Sequence, residues 1–317
     1  MNNKILSSAA SNFLEKNNLN KLSVTALKND ASKRRYFKLN NYRKNVLLMD
    51  SSLEKKTISN FILISNWLIK KKFSAPSIYL KDKARGLLLL EDFGPTKFSI
   101  ILKKNKNKKL YYYKKAIDTL IDLSKQKPPN FLKPYDKKTY IRELNLFLVW
   151  HLNYKNNNKR INEWNAIWKC LLKKIDKSST SIVLRDYHID NIFYLARRKK
   201  IKDIGLIDYQ DALIGHPSYD LVSLLQDVRT FISQKDREYL YNYYLSKRKY
   251  NLKEFRQTYL ILGTQRLIKI IGIFKRLYLQ ENNKTYMKFL PRTFKLLLEN
   301  LQDPILSDLK DWMGKYR

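Results

Sequence analysis

Hydrophobic and polar residues follow two different periods along this chain, which predict a small sheet-containing region followed by a larger helical one. Before residue 100, the helical period across 54–71 predicts a helix, and short apolar runs predict strands at 36–39, 45–49, 78–80 and 87–90. Beyond Leu102 the helical period predicts helices over 110–124, 137–154, 162–175, 219–227, 235–246, 253–279 and 285–300. We therefore predict an α+β fold with an N-terminal lobe over 1–100, a mostly helical C-terminal lobe over 101–317, and a loop in the Lys-Asn run at 103–109.

The amino-terminal segment has the pattern of an amphipathic helix. One face of that helix would carry Ile5, Leu6, Ala9, Ala10, Phe13 and Leu14. Ser7 and Ser8 interrupt the apolar stretch and Glu15 follows closely, so a signal peptide is not predicted. No segment approaches the ~18 consecutive apolar residues of a transmembrane helix. A single cysteine, Cys170, cannot form an internal disulfide, so we expect a cytoplasmic protein that is not associated with a membrane.

The chain is strongly basic, with 64 Lys and Arg against 28 Asp and Glu, and a net charge of +36. Such a charge is compatible with nucleic-acid binding, because Lys and Arg neutralise phosphates. However, the basic residues are spread along the whole chain without a recognised nucleic-acid motif, as compositional bias towards Lys and Asn would produce. We therefore expect no specific nucleic-acid partner. The charge does favour an anionic substrate over a strongly cationic one.

A β-hairpin in the C-terminal half is predicted to gather polar side chains. Apolar residues 192–195 and 204–207 flank a basic turn, as in an antiparallel hairpin. Asn191 enters the first strand and Asp208 leaves the second, so the two should lie opposite each other, about 5 Å apart. Asp186 precedes the hairpin, so three oxygen-bearing side chains should meet at one end of it.

These three residue types suit metal-assisted phosphoryl transfer. Mg²⁺ prefers oxygen ligands and commonly takes only one or two from protein, which Asn191 and Asp208 could supply. A further carboxylate, Asp186, could accept the proton of an attacking hydroxyl. The Asp-x-x-x-x-Asn spacing from 186 to 191, followed by a metal-binding Asp after the next strand, is typical of kinases. The alternative is that all three side chains only cap turns.

Three segments together resemble a known family. They are Leu184-Arg185-Asp186-Tyr187-His188-Ile189-Asp190-Asn191, Leu206-Ile207-Asp208-Tyr209-Gln210-Asp211-Ala212 and Gly215-His216-Pro217-Ser218-Tyr219-Asp220-Leu221. The chain resembles the aminoglycoside phosphotransferase/choline kinase superfamily, and within it the bacterial anomeric N-acetylmuramate/N-acetylglucosamine kinases. The resemblance implies a protein-kinase-like bilobal fold that uses ATP and Mg²⁺.

The resemblance also implies roles for individual residues. Asp186 would be the catalytic base, Asn191 and Asp208 would hold Mg²⁺, and Arg185 and Asp220 would support the catalytic loop. Asp220 could equally cap the helix that follows it. The hinge at 89–94 and the turn at 29–32, before Arg35, would bind the nucleotide, through Ser32, Arg35, Lys38, Leu90, Glu91 and Asp92.

The sequence departs from the family pattern at the phosphate anchor. A lysine is expected on the third strand, but residues 46–50 contain none. Lys38, Arg35 or Lys55 could replace it. Leu184 also stands where the superfamily usually has a histidine.

Candidate acceptor-binding residues are more weakly indicated. Arg266 and Lys269 lie on one face of the helix predicted over 253–279, where they could bind an anionic group or form a solvated face. The remaining candidates, each of which could instead be structural, are His188, Gln210, Asp211, Glu143 and Trp150.

We therefore predict an ATP- and Mg²⁺-dependent kinase that phosphorylates a sugar hydroxyl, such as the anomeric hydroxyl of N-acetylmuramate or N-acetylglucosamine. The missing lysine supports an alternative, a nucleotide-binding pseudokinase that acts as a scaffold. The positive charge supports another, a nucleic-acid-binding protein. No oligomeric state is predicted.

Overall fold

The computed structural model describes residues 6–27, 34–42, 45–154 and 158–315. The chain forms two compact units. The first comprises Met1–Lys109 together with Asp190–Asp211, and the second comprises Leu110–Ile189 together with Ala212–Arg317. The first unit therefore contains a segment that lies late in the sequence.

A five-stranded antiparallel sheet forms the centre of the first unit, with the strand order β1-β2-β3-β5-β4. Its strands are β1 (Val24–Ala26), β2 (Arg35–Leu39), β3 (Val46–Asp50), β4 (Ile78–Asp82) and β5 (Leu87–Glu91). The four predicted strands are confirmed, whereas β1 was not predicted. Three residues with one apolar side chain facing the core give β1 too short a pattern to recognise.

Three helices accompany this sheet: α1 (Ser8–Lys16), α2 (Ile58–Lys70) and α3 (Phe98–Lys104). The predicted amino-terminal helix is confirmed, since α1 buries Ala10, Phe13 and Leu14 in a cluster with apolar residues of β2, β3 and β5. The predicted loop at 103–109 is only partly correct. It contains the end of α3 and a 3-10 turn at Lys106–Lys108, because lysine favours helical backbone even in a highly charged run.

The predicted hairpin is confirmed as β7 (Ile192–Tyr194) paired with β8 (Ile204–Leu206). Both strands belong to the first unit, where the Tyr194 N–H donates to the carbonyl of Thr96 at 2.9 Å. Ile192 pairs with Leu206, so Asn191 lies opposite Ile207 rather than Asp208. The predicted register is therefore wrong by one position.

Helices make up most of the second unit. They are α4 (Lys109–Ser124), α5 (Lys137–Trp150), α6 (Asn158–Lys173), α7 (Ser218–Leu225), α8 (Gln234–Ser246), α9 (Leu252–Glu281), α10 (Leu290–Asn300) and α11 (Ser307–Lys315). A two-stranded sheet joins them, β6 (Ser181–Val183) with β9 (Leu213–Gly215). All seven predicted helices are present, but α10 begins five residues later than predicted because Pro291 is compatible only with the first turn of a helix.

The core of the second unit is built around α5, α6 and α9. Trp164, Trp168 and Trp312 are buried in it, and the ring of Trp164 contacts the rings of the other two. The longest described helix, α9, carries charged residues along its length. Within the described part of the chain, no helix meets the requirements for crossing a bilayer.

Gly272 allows α5 and α9 to approach closely. A Cβ atom at this position would lie 2.5 Å from the carbonyl carbon of Leu146 and 2.6 Å from the nitrogen of Phe147. Both of these are backbone atoms of α5, so the two helices would have to move apart to accommodate a side chain.

We predict that Gly272→Ala lowers the free energy of unfolding by about 1–3 kcal/mol, because overpacking outweighs the gain in helix propensity. Gly314→Ala is the control, since nothing lies within 4 Å of its added Cβ. The control should be neutral or stabilising by up to about 1 kcal/mol. Equal effects of the two substitutions in urea unfolding would contradict this account.

Candidate active site

The loop after β6 is held by a buried carboxylate. Asp220, in the first turn of α7, accepts hydrogen bonds from the backbone N–H groups of Leu184 at 2.6 Å and Arg185 at 3.0 Å. Burial raises the pKa of Asp220 to about 7, although both hydrogen bonds act in the opposite direction. Arg185 has a φ of +72°, so these bonds stabilise a backbone conformation that is unfavourable for a residue with a side chain. Asp220 therefore stabilises the conformation of this loop.

The same loop exposes Asp186 and buries the three residues that follow it. The Tyr187 hydroxyl donates to the carbonyl of Ala116 at 2.8 Å, and the Ile189 N–H donates to Asp227 at 3.1 Å. His188 is buried, and its N–H donates to the carbonyl of Asp186 at 3.1 Å. The backbone on both sides of Asp186 is therefore anchored, while its side chain is accessible.

A buried charged cluster extends from this loop to α5 and α9. Glu143 pairs with the guanidinium of Arg185 and accepts hydrogen bonds from the Tyr135 hydroxyl at 2.5 Å and the Gln265 amide at 3.0 Å. Lys269 Nζ lies 3.7 Å from the same carboxylate. Although burial opposes ionisation, the pKa of Glu143 is lowered because Lys269 and Arg185 favour its charged form. Glu143 is therefore bound by side chains of the protein itself, as a structural role requires.

The basic face predicted on α9 is not solvated. Lys269 and Arg266 are both buried, so the alternative of a solvated helix face is wrong for both residues. Lys269 donates to the Tyr219 hydroxyl at 2.7 Å, and its pKa is raised against the effect of burial by Tyr219 and Glu143. Within the described residues, Arg266 Nη1 has no hydrogen-bond partner. Trp150, the last residue of α5, is half-buried.

The hairpin of the first unit brings Asn191 and Asp208 together, as predicted. Asn191 Nδ2 lies 3.3 Å from Asp208 Oδ2. Asp208, which follows β8, has a φ of +59°, a left-handed conformation that is uncommon for a residue with a side chain. Gln210, which is buried, donates from Nε2 to Asp208 Oδ1 at 3.0 Å, whereas Asp211 is exposed.

The Asn191–Asp208 pair fits a divalent cation with oxygen preference. Asp208 supplies a partly exposed carboxylate, and a half-turn of the Asn191 amide would direct its oxygen towards the carboxylate. Among the described residues, no group of three or more His, Cys, Asp or Glu could hold a metal. Two oxygen ligands from the protein are compatible with Mg²⁺, because Mg²⁺ takes most of its ligands from phosphates and water.

The predicted hinge residues are already engaged within the first unit. Leu90 is a central residue of the sheet, paired with Leu47 and Ile78. The N–H of Glu91 donates to the carbonyl of Ser77 at 2.9 Å, and the N–H of Asp92 donates to the carbonyl of Asn45 at 3.0 Å.

The side chains of Glu91 and Asp92 also have partners. Glu91 pairs with the guanidinium of Arg198. Asp92 accepts from the N–H of Gly94 at 2.8 Å and lies 3.8 Å from Lys38 Nζ. The N–H groups of Glu91 and Asp92 are already bonded, so an adenine would have to bind other backbone atoms of this segment.

Of the predicted phosphate-binding residues, Ser32 lies outside the described residues. Arg35 pairs with the buried carboxylate of Asp50 at 2.7 Å, and Lys55 is exposed. Arg34, which was not predicted as a site residue, is buried and lies 3.5 Å from both Glu54 and Asp208. The sequence signal that could have identified Arg34 is its position immediately before β2, a strand in which buried and partly exposed residues alternate.

Comparison of the structure with solved structures identifies a kinase-like fold. Choline kinase LicA from Streptococcus pneumoniae superimposes with a TM-score of 0.66 at 14% identity, covering 92% of this chain and 100% of that chain. The ADP-bound aminoglycoside phosphotransferase APH(2'')-Ib gives a TM-score of 0.62 at 12% identity, over 93% and 99% of the two chains. These similarities confirm the predicted α+β, protein-kinase-like fold.

The sequence matches the phosphotransferase enzyme family over residues 23–255, and the chain belongs to this family. It is 29% identical over 272 residues to the N-acetylmuramate/N-acetylglucosamine kinase of Caulobacter vibrioides, covering 82% of this chain and 75% of that protein. The kinase of the same name from Neisseria meningitidis is 28% identical over 279 residues, covering 83% and 81%. The predicted family is confirmed, and the chain is a phosphotransferase with an alcohol group as acceptor.

We predict that Glu143→Gln destabilises the protein by about 3–5 kcal/mol, because Arg185 and Lys269 would lose the carboxylate that neutralises them in a buried setting. Adding Lys269→Met to this variant should recover part of the loss, since one uncompensated cation is removed. Urea unfolding of the two single variants and the double variant measures the coupling. Strictly additive effects would contradict the described cluster.

Proposed function

We propose that the protein transfers the γ-phosphoryl group of ATP, with Mg²⁺, to the anomeric hydroxyl of N-acetylmuramate or N-acetylglucosamine. The observation that carries the phosphotransfer proposal is the meeting of Asn191 and Asp208 at 3.3 Å on the hairpin that follows the Asp186 loop. Four relatives named N-acetylmuramate/N-acetylglucosamine kinase, at 26–29% identity, support the amino-sugar acceptor. ADP- and AMP-bound structures among the fold neighbours support nucleotide use.

In this proposal the acceptor hydroxyl attacks the γ-phosphorus, its oxygen forms the new O–P bond, and the bond to the departing ADP oxygen breaks. Asp186 orients the hydroxyl and accepts its proton. The exposed side chain and anchored backbone of Asp186 suit this role, because most of the catalytic effect comes from positioning. Asn191 and Asp208 would hold Mg²⁺, which when bound neutralises negative charge on the phosphates.

The charge of the protein favours one class of acceptor. With a net charge of +36, the protein attracts an anion such as the lactyl carboxylate of N-acetylmuramate and repels a polycationic aminoglycoside. Arg266 is the candidate for binding that carboxylate, because it is buried and its Nη1 has no hydrogen-bond partner in the described structure. Lys269 is less suitable, since it is paired with Glu143.

A nucleotide-binding pseudokinase is the second candidate function. It is favoured by one observation, the absence of lysine from β3 (Val46–Asp50). It differs from the first in a measurable way, because a pseudokinase would bind ATP without turnover.

We predict that the purified protein phosphorylates at least one of the two amino sugars in the presence of ATP and Mg²⁺. Asp186→Asn should lower kcat by about 10²- to 10⁴-fold, because it removes the proton acceptor. ADP affinity of this variant should stay within about twofold. Phosphate transfer is measured with labelled ATP against a panel of amino sugars, choline and aminoglycosides.

The matched control is Asp308→Asn, the same substitution at an exposed position of α11, which should leave kcat unchanged. Transfer to choline or to an aminoglycoside alone would refute the amino-sugar acceptor but not the kinase activity. ATP binding without transfer to any acceptor, unaffected by Asp186→Asn, would favour the pseudokinase.

A further inference from the structure

The absent lysine of β3 raises the question of which cation contacts the nucleotide phosphates. In protein kinases that lysine pairs with a glutamate on a neighbouring helix and acts next to the aspartate that holds Mg²⁺. A replacement should meet two comparable conditions. It should pair with a carboxylate on a helix or next to one, and it should lie beside Asp208.

Arg35 meets neither condition. Its guanidinium binds Asp50, and Asp50 also accepts from the Ser7 hydroxyl at the N-cap of α1. Phe37 and Leu39, which share its face of β2, pack in the cluster that contains α1. Arg35 therefore belongs to the α1 side of the sheet.

Lys38 and Lys55 are also poorly placed. Lys38 lies on the other face of β2, but its Nζ is 3.8 Å from Asp92, at the hinge segment. Lys55 is exposed in the 3-10 turn before α2. Neither has a described contact with Asp208.

Arg34 meets both conditions. Its Nε lies 3.5 Å from Glu54 Oε2, and Glu54 is the residue before the 3-10 turn that leads into α2. Its Nη1 lies 3.5 Å from Asp208 Oδ1. The side chain is only 7% exposed, so a cation is held within this unit between two carboxylates.

The length of these contacts matters. Charge-assisted N–H···O bonds are typically about 2.7–2.9 Å long, so the two contacts of 3.5 Å are longer than is usual for such bonds. A guanidinium has five N–H donors in one plane, so Arg34 can bind Glu54 on one edge and phosphate on another.

We propose that Arg34 replaces the third-strand lysine as the cation that anchors the nucleotide phosphates, with Glu54 orienting its guanidinium beside Asp208. This inference rests on the proposed kinase function. It assigns nucleotide binding to a residue outside the strand where the family pattern places it, and it removes the main argument for an inactive pseudokinase.

The test measures binding of ADP and AMP with Mg²⁺ by calorimetry, without an acceptor sugar. Arg34→Ala should weaken ADP binding by about 10- to 100-fold, the effect of losing a hydrogen bond to a charged group. AMP binding should change by less than about threefold, because AMP lacks the phosphates that Arg34 would contact. Arg34→Lys should retain ADP affinity within about fivefold, and Glu54→Gln should weaken ADP binding more than AMP binding.

Lys56→Ala is the control, since it removes a nearby exposed positive charge and should leave both affinities unchanged. A purely structural role of Arg34 would lower ADP and AMP affinity equally and would overturn the proposal. So would an ADP-selective loss in Arg35→Ala or Lys38→Ala but not in Arg34→Ala. Should Arg34→Ala fail to fold, Arg34→Gln and Arg34→Lys decide by the same ADP-to-AMP ratio.

The outcome separates this inference from the proposed acceptor. An ADP-selective loss in Arg34→Ala, together with no transfer to either amino sugar, would support the anchor and refute the acceptor. Transfer to an amino sugar with an unchanged ADP-to-AMP ratio in Arg34→Ala would refute the anchor alone.

Discussion

The loop after β6 depends on one interaction: two of its backbone N–H groups donate hydrogen bonds to the buried carboxylate of Asp220. A carboxylate in this position loses most of its hydration, and the raised pKa of Asp220 reflects that cost. The two hydrogen bonds offset part of it and stabilise the left-handed backbone of Arg185. The next residue, Asp186, is thereby exposed on a loop whose other residues are anchored.

The second unit supports this loop from another direction through Glu143. A single carboxylate faces Arg185 and Lys269, so the cluster contains more positive than negative charge. It can remain buried because Tyr135 and Gln265 add neutral donors to the same carboxylate. Close contact of α5 with α9, which Gly272 permits, brings these groups within reach.

The first unit contains a second polar cluster, in which carboxylate and amide groups lie next to a buried cation. Asp208 contacts Asn191, Gln210 and Arg34, and Arg34 contacts Glu54. Except for the contact between Asp208 and Gln210, each contact joins segments that are separated in the chain. In this cluster two carboxylates surround one guanidinium and leave one negative charge in excess, so the strong positive charge of the whole chain does not extend into it.

The sequence by itself determined the element types and the polar motif of this protein. Apolar periodicity identifies a strand or helix wherever one face is buried, and the Asp186–Asn191 spacing and the hairpin before Asp208 are local features. Tertiary structure decided the rest. It brought Asp220 of α7 against the loop, turned the basic face of α9 inwards against Glu143, and selected Arg34 rather than Arg35 as the cation beside Asp208. These outcomes depend on which buried charge finds a partner, and partners from distant segments leave no periodic signal in the sequence.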